Sequence, residues 1–331
     1  MSTQLSAMAI PGSQPSYPIT DPPTGYMSVA RTCSFLVNVA CDMCRQWIDA
    51  GQPKPPDFSW TPADPCPYTS GYNFASFQHS PIIWSSFEHQ NSSYTEPFGF
   101  LAYNSETVYL VFRGSQTKVD FDLDFEFKQV NYQAPSSNPP AGMKVEKGFY
   151  AVFNGLFFHG DVAKDLTTGL RDLRSSGLNQ AMTWYITGHS LGSALATLAA
   201  PVVAACGVSG MQCNQASPKV GNPAFAQYID GLGFPTYRLV NTADAVPKLP
   251  PGLDYRHAGS EIYFTAAYDA ATKEKSEAER HNPCCCYSYA LFNPGNPVNP
   301  NIQNCVDTPG ASVSPSNNAI SSTLNHSAPV K

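Results

Sequence analysis

The sequence predicts an α/β fold, and three observations carry the prediction. A β-branched and aromatic run from Thr183 to Thr187 ends in Gly188-His189-Ser190-Leu191-Gly192, and an Ala/Leu-rich segment with helical spacing follows at once. Upstream, Ile82 to Glu88, Phe98 to Tyr103 and Thr107 to Phe112 read as strands, the last two joined by a short polar turn at Asn104-Ser105-Glu106. Finally, 331 residues that are 42% hydrophobic suit one large α/β domain or two small ones, with ample material for a core.

The first of these segments carries chemistry. Strand, sharp turn and helix around Ser190 make the G-x-S-x-G signature of a nucleophile elbow. Side chains at Gly188 and Gly192 would collide with the adjoining helix and strand. Ser190 Oγ would stand exposed at a helix N-terminus, beside backbone N–H groups able to hold an oxyanion. A serine hydroxyl is a poor nucleophile until a base removes its proton, so a histidine and an acid that fixes its tautomer are required.

In chain order, residues 1–24 are rich in Pro, Ser and Thr and read as a surface-draped arm. Ala30 to Ile48 has helical spacing, with Phe35, Val39, Met43 and Trp47 on one face, and Pro53 to Pro67 holds too many prolines to be regular. Thr272 to Arg280 is charged and reads as a solvated helix. Charged residues make up only 13% of the chain and the net charge is −6, so nothing points to nucleic acid. The longest apolar run, Ala194 to Cys206, contains Pro201 and falls short of the roughly 18 to 20 residues of a membrane span. Met1 to Thr20 lacks the charged and apolar regions of an ordinary secretory signal.

Ten cysteines argue for an oxidising compartment and disulfides, such as Cys206 with Cys213, or Cys305 with one of Cys284, Cys285 and Cys286. The rival reading is a zinc site using Cys41, Cys44, His281 and the cysteines after it, but a second clean C-x-x-C is missing. The expectation is no metal and no cofactor.

Beyond the elbow, Arg113-Gly114-Ser115 follows one strand, and the run from Asn241 through Asp244 to Pro250-Pro251 follows another. Val145 to Phe149, Ser217 to Phe225 and His257 to Glu261 complete six blocks in order over roughly residues 80 to 265. Together they resemble the class 3, or fungal-type, lipase family. The resemblance implies an α/β-hydrolase fold, a central and mostly parallel sheet flanked by helices, with residues 25–331 as a single domain.

Asp244 is the expected acid, because it lies just past the predicted strand Tyr237 to Val240 and matches the family's aspartate; Asp230 and Asp254 read as surface acids. Three histidines follow it. His257 belongs to a block that precedes the family's catalytic histidine, and His281 has no family counterpart. His326, in Leu324-Asn325-His326, resembles the family's late Leu-Asp-His loop and is the expected base. Leu191 N–H and Ser115 are the expected oxyanion donors.

The family places a lid between Ser115 and Tyr132. On that reading Val119, Phe121 and Leu123 cover the site, with His189 beside the nucleophile at the substrate. Val119 to Phe127 alternates apolar and acidic residues with period two, which is a strand pattern rather than a helical one. The resemblance implies a triacylglycerol lipase or esterase acting on a lipid ester at a lipid–water interface. Alternatives are a phospholipase, monoacylglycerol lipase or feruloyl-type esterase, or a catalytically silent binding protein. The cysteine content favours secretion.

Overall fold

A computed structural model describes residues 17–117, 127–135, 139–160, 163–176, 182–266 and 276–302. Its spine is a mixed sheet of ten strands: β1 (Gln78–His79), β2 (Ile83–His89), β3 (Ser92–Tyr103), β4 (Thr107–Phe112), β7 (Leu156–Phe158), β8 (Lys164–Asp165), β9 (Thr183–His189), β10 (Gly210–Gln215), β11 (Thr236–Asn241) and β12 (Ser260–Phe264). Two further strands, β5 (Gln129–Asn131) and β6 (Lys144–Glu146), form a separate antiparallel ribbon.

The order across the sheet is β12-β11-β10-β9-β4-β3-β2-β7-β8, with β1 on β3. Strands β4, β9, β10, β11 and β12 run parallel, while β3, β2, β7 and β8 form an antiparallel wing. This places the loops after β4, β9 and β11 at one edge, the carboxyl ends of the parallel strands, where open α/β sheets gather their sites.

The expected strands are present, and β3 is longer than its pattern suggested. It begins at Ser92, straight after a tight turn in which Gln90 and Asn91 have φ of 48° and 61°. Pro97 has no N–H to give the ladder, and the register shifts there, Ile83 facing Gly99 but Trp84 facing Pro97. A bulge thus absorbs the proline inside the strand.

Two apolar layers close over the sheet. One face packs α2 (Lys147–Asn154), α3 (Leu166–Ser176), α4 (Leu191–Ala205) and α5 (Pro223–Asp230) around Leu195, Leu198, Trp184 and Phe225. The other face carries α1 (Tyr26–Asp49), which extends the helix expected from Ala30 to Ile48 in both directions. Residues Cys33 to Cys44 of α1 are buried all round the helix, because the sheet lies on one side and a late segment covers the other. That segment is α6 (Ser276–Arg280), a π-helical turn over Pro283–Ser288, and α7 (Tyr289–Phe292). The described part of the arm lies along β12, with Tyr17 pairing to Thr265 and Thr20 to Tyr263, so it covers that sheet edge.

Cys66 is bonded to Cys284. Cys285 is also in a disulfide. The expected staple between Cys206 and Cys213 does not form: both are thiols, and Cys213 lies instead against Cys33 across the α1–sheet interface. Cys305 lies outside the described residues.

Candidate active site

The elbow forms where the pattern put it. Ser190 sits between β9 and α4 with φ 56° and ψ −126°, a strained conformation that lifts the residue off both elements. Its surroundings leave no room for larger neighbours. A Cβ at Gly188 would come within 2.2 Å of the Gly192 backbone, and one at Gly192 within 2.4 Å of the Arg113 carbonyl oxygen. Ser190 N–H donates to Gln215 O on β10, and Ser193 Oγ donates to Gly188 O and Gln215 O, tying the turn to the neighbouring strand.

The imidazole facing the serine is that of His281. Its Nε2 lies 2.8 Å from Ser190 Oγ and its Nδ1 lies 2.8 Å from Asp244 Oδ2. With the carboxylate accepting from Nδ1–H, Nε2 is left as the acceptor for the serine hydroxyl. The Asp244 side chain is 1% exposed and that of His281 19%, so the acid is enclosed and the base is partly exposed.

Asp244 follows β11 by three residues, as expected, and is held from three sides. Val246 N–H donates to Oδ1, while Tyr287 O–H donates to Oδ2 at 2.7 Å alongside the histidine. Tyr287 is fully buried, and burial, with the Asp244 carboxylate beside it, pushes its phenol well above the ordinary range. It therefore stays a donor throughout the working range of pH. Tyr287 was not singled out in the sequence.

The expected base, His326, lies outside the described residues, and the place expected for it is filled by His281. The reason is an anchored connection. Asn282 caps the π-helical turn by accepting from Cys284 N–H and Cys285 N–H, Cys284 is bonded to Cys66, and Ser288 Oγ meets Ser34 Oγ and Asn38 Nδ2 on α1. Asn241 Nδ2 reaches across from β11 to Arg280 O, just before the histidine. The one local signal was Asn282-Pro283, a helix cap followed by a proline suited to the first turn. His281 and Cys284, two of the side chains weighed for a zinc site, are thereby engaged in the relay and in a disulfide.

His257 takes the structural place expected of it. Its Nε2 donates to Pro247 O, on the loop behind Asp244, and burial together with the Arg238 guanidinium pushes its pKa down to about 3. Asp230 pairs with exposed Arg256, and Asp254 is exposed.

Of the expected oxyanion donors, Leu191 opens α4, where a backbone N–H has no partner one turn earlier. Ser115 follows Gly114, whose hypothetical Cβ would lie 3.4 Å from the Ser190 Cβ, so this loop runs beside the nucleophile. Arg113 pins that loop. Its guanidinium is buried, donates from Nε to Pro97 O, from Nη1 to Gly114 O and from Nη2 to Glu96 Oε2, and lies 4.0 Å above the Phe98 ring. Glu96, absent from the sequence reading, also accepts from Thr117 Oγ1.

Val119, Phe121 and Leu123, the expected lid, lie outside the described residues. His189 does not line a substrate surface: it is 3% exposed and packs behind the relay, its ring 4.6 Å from that of His281 and 5.4 Å from that of Tyr287.

Fold and elbow together define an α/β-hydrolase. Residues 109–253 match the class 3 lipase family. It is 36% identical over 168 residues to a lipase of Rhizomucor miehei, covering 49% of this chain and 43% of the relative. It is 31% identical over 189 residues to the secreted mono- and diacylglycerol lipase A of Penicillium cyclopium, covering 56% and 57% respectively. The chain thus spans about half the length of the curated relatives it matches. The solved structure of the Rhizomucor miehei triacylglyceride lipase superposes with a TM-score of 0.54 at 26% identity, covering 74% of this chain and 82% of that one.

Proposed function

We propose that the protein is a serine carboxylic-ester hydrolase cleaving acylglycerol-type lipids through an acyl-enzyme. The observation that carries the reading is the unbroken run Ser190 Oγ, His281 Nε2, His281 Nδ1, Asp244 Oδ2, with both contacts at 2.8 Å. Ser190 Oγ attacks the ester carbonyl while His281 Nε2 takes its proton, and Asp244 steadies the imidazolium. Backbone N–H of Leu191 and Ser115 receive the charge that develops on the carbonyl oxygen. His281 returns the proton to the departing alcohol, and water then repeats the cycle on the acyl group to release the acid. No cofactor enters any step.

The substrate class rests on the family and on the relatives, which are named lipases and mono- and diacylglycerol lipases. The resemblance also implies a lid between Ser115 and Tyr132, carrying Val119, Phe121 and Leu123, that opens at a lipid surface. The disulfides, and relatives named as secreted, support an extracellular location, with residues 25–331 acting as one catalytic domain.

Hydrolysis of p-nitrophenyl esters of increasing chain length, with fluorophosphonate labelling of the serine, tests the reading. Ser190→Ala and His281→Ala are expected to lower kcat by about four to six orders of magnitude, while His326→Ala stays near wild type. A folded wild type that is neither labelled nor active would make this a binding protein, and a dead His326→Ala beside an active His281→Ala would return the base to the C-terminal segment.

A further inference from the structure

Away from the relay, on the α4 side of the sheet, a small polar cavity is lined by residues that include Thr197, Ser217, Phe225, Arg238, Arg256 and His257. It has room for about one water-sized particle. Arg238 reaches it from β11 and is only 6% exposed. Its Nε donates to Ala258 O at 3.0 Å and its Nη2 to Glu261 Oε2 at 3.5 Å, which leaves Nη1 with no partner among the described residues. The nearby carboxylates are engaged elsewhere. Asp230 accepts from Arg256 Nη2 and from Gly259 N–H, and the partly exposed Glu261 faces Nη2. A guanidinium carries donors on all three nitrogens and cannot shed its charge, so a buried Nη1 without an acceptor is costly.

A water at this place would accept from Nη1 but would need acceptors for its own two protons. Thr197 Oγ1 has none to offer, since it donates to Ser193 O and accepts from Gln212 Nε2 and Asn214 Nδ2. A halide brings no protons, and the charged groups on the cavity wall, Arg238 and Arg256, are both cations. We propose that the cavity is a binding site for a single chloride ion, held by Arg238 Nη1 with Arg256 adding positive charge. The ion joins pieces of chain at the foot of the loop that carries Asp244. Lys219, beside the cavity, donates from its N–H to Leu249 O and from Nζ to Pro250 O, and His257 Nε2 donates to Pro247 O. Occupancy therefore stabilises the domain at the root of that loop. The inference stands apart from the hydrolase reading, because it concerns stability and not turnover.

Melting of the full chain, exchanged into sodium gluconate and titrated with sodium chloride at constant ionic strength, tests the site, since gluconate is too large to enter. The wild type is expected to gain roughly 2 to 5 °C and to saturate below about 100 mM chloride, as binding to the folded state alone requires. Bromide should act like chloride, and fluoride, which holds its water more tightly, should do little. Arg238→Met keeps an apolar stem in the same space and removes the cation, so its melting temperature should not respond. No rise in the wild type, a rise that does not saturate, an equal rise with fluoride, or a full response in Arg238→Met overturns the proposal and leaves the cavity to water. If Arg238→Met does not fold, wild-type crystals soaked in sodium bromide decide the matter. An anomalous peak within hydrogen-bonding distance of Arg238 Nη1 supports the site, and a cavity without one overturns it.

Discussion

Oδ2 of Asp244 is shared between two donors, His281 Nδ1 and the Tyr287 hydroxyl, and both lie under 3 Å away. The phenol has no room to leave, because its oxygen also accepts the Asn241 N–H and the ring is wedged between His189 and Phe264. Tyr287→Phe would leave this packing intact and remove one donor from a buried carboxylate. A hydrogen bond to a charged group contributes about 1.5–3 kcal/mol, so Tyr287→Phe is expected to lower kcat roughly tenfold with little change in KM. Unchanged kcat at saturating p-nitrophenyl ester would mean that Val246 N–H and His281 suffice to hold the acid. At this scale the sequence was legible where constraint is local. The elbow announces itself because its strain and crowding need two glycines within five residues, and Asp244 because it sits three residues past a readable strand. Tyr287 was invisible, since nothing in Cys284 to Ser288 tells which aromatic reaches a carboxylate 43 residues earlier.

Between elements, two buried attachments hold the loops of the site. The first is the Arg113 fork on Glu96, which joins the loop after β4 to β3. Glu96→Ala would leave a guanidinium enclosed without its carboxylate, and breaking such a pair from one side costs about 3–5 kcal/mol. Urea unfolding of this variant should read a loss of that order; one below about 1 kcal/mol would mean that Pro97 O and Gly114 O satisfy the cation unaided. The second is Cys66–Cys284, which fastens the segment carrying His281 to the irregular stretch before β1. Removing such a bond costs about 2–5 kcal/mol, so Cys66→Ser with Cys284→Ser is expected to lower the melting temperature and to lose activity below it, as the base segment loosens. Full activity up to melting would show that Asn282 and Ser288 hold the segment alone. This attachment also explains why His281 was passed over. Its position follows from a cap, a disulfide and hydroxyls on α1, all distant in sequence, whereas the resemblance pointed to a Leu-Asn-His run near the end of the chain.

Across the whole molecule, a central and mostly parallel sheet followed from the resemblance that the six motifs carry, whereas the consequences of burial did not, because they depend on what covers each group. His257 shows how such burial couples stability to pH. Its pKa is pushed down to about 3 by burial and by Arg238, with Lys219 adding to the same effect. An exposed histidine in the unfolded chain titrates near 6.5, so between that pH and about 3 the unfolded state binds a proton that the folded state refuses. The sign is therefore fixed: the term is absent above about pH 7 and lowers stability as the pH falls. It amounts to about 2 kcal/mol between pH 7 and pH 5, a range in which most carboxylates are still ionised. His189 is shifted in the same direction and adds to the slope. His257→Gln keeps an N–H for Pro247 O without the titration, so its urea midpoint should fall less steeply than that of the wild type from pH 7 to pH 5. Equal slopes in the two proteins would mean that the His257 ring is reached by water in the folded state, and that the loop behind Asp244 is held by Lys219 N–H on Leu249 O rather than by this histidine.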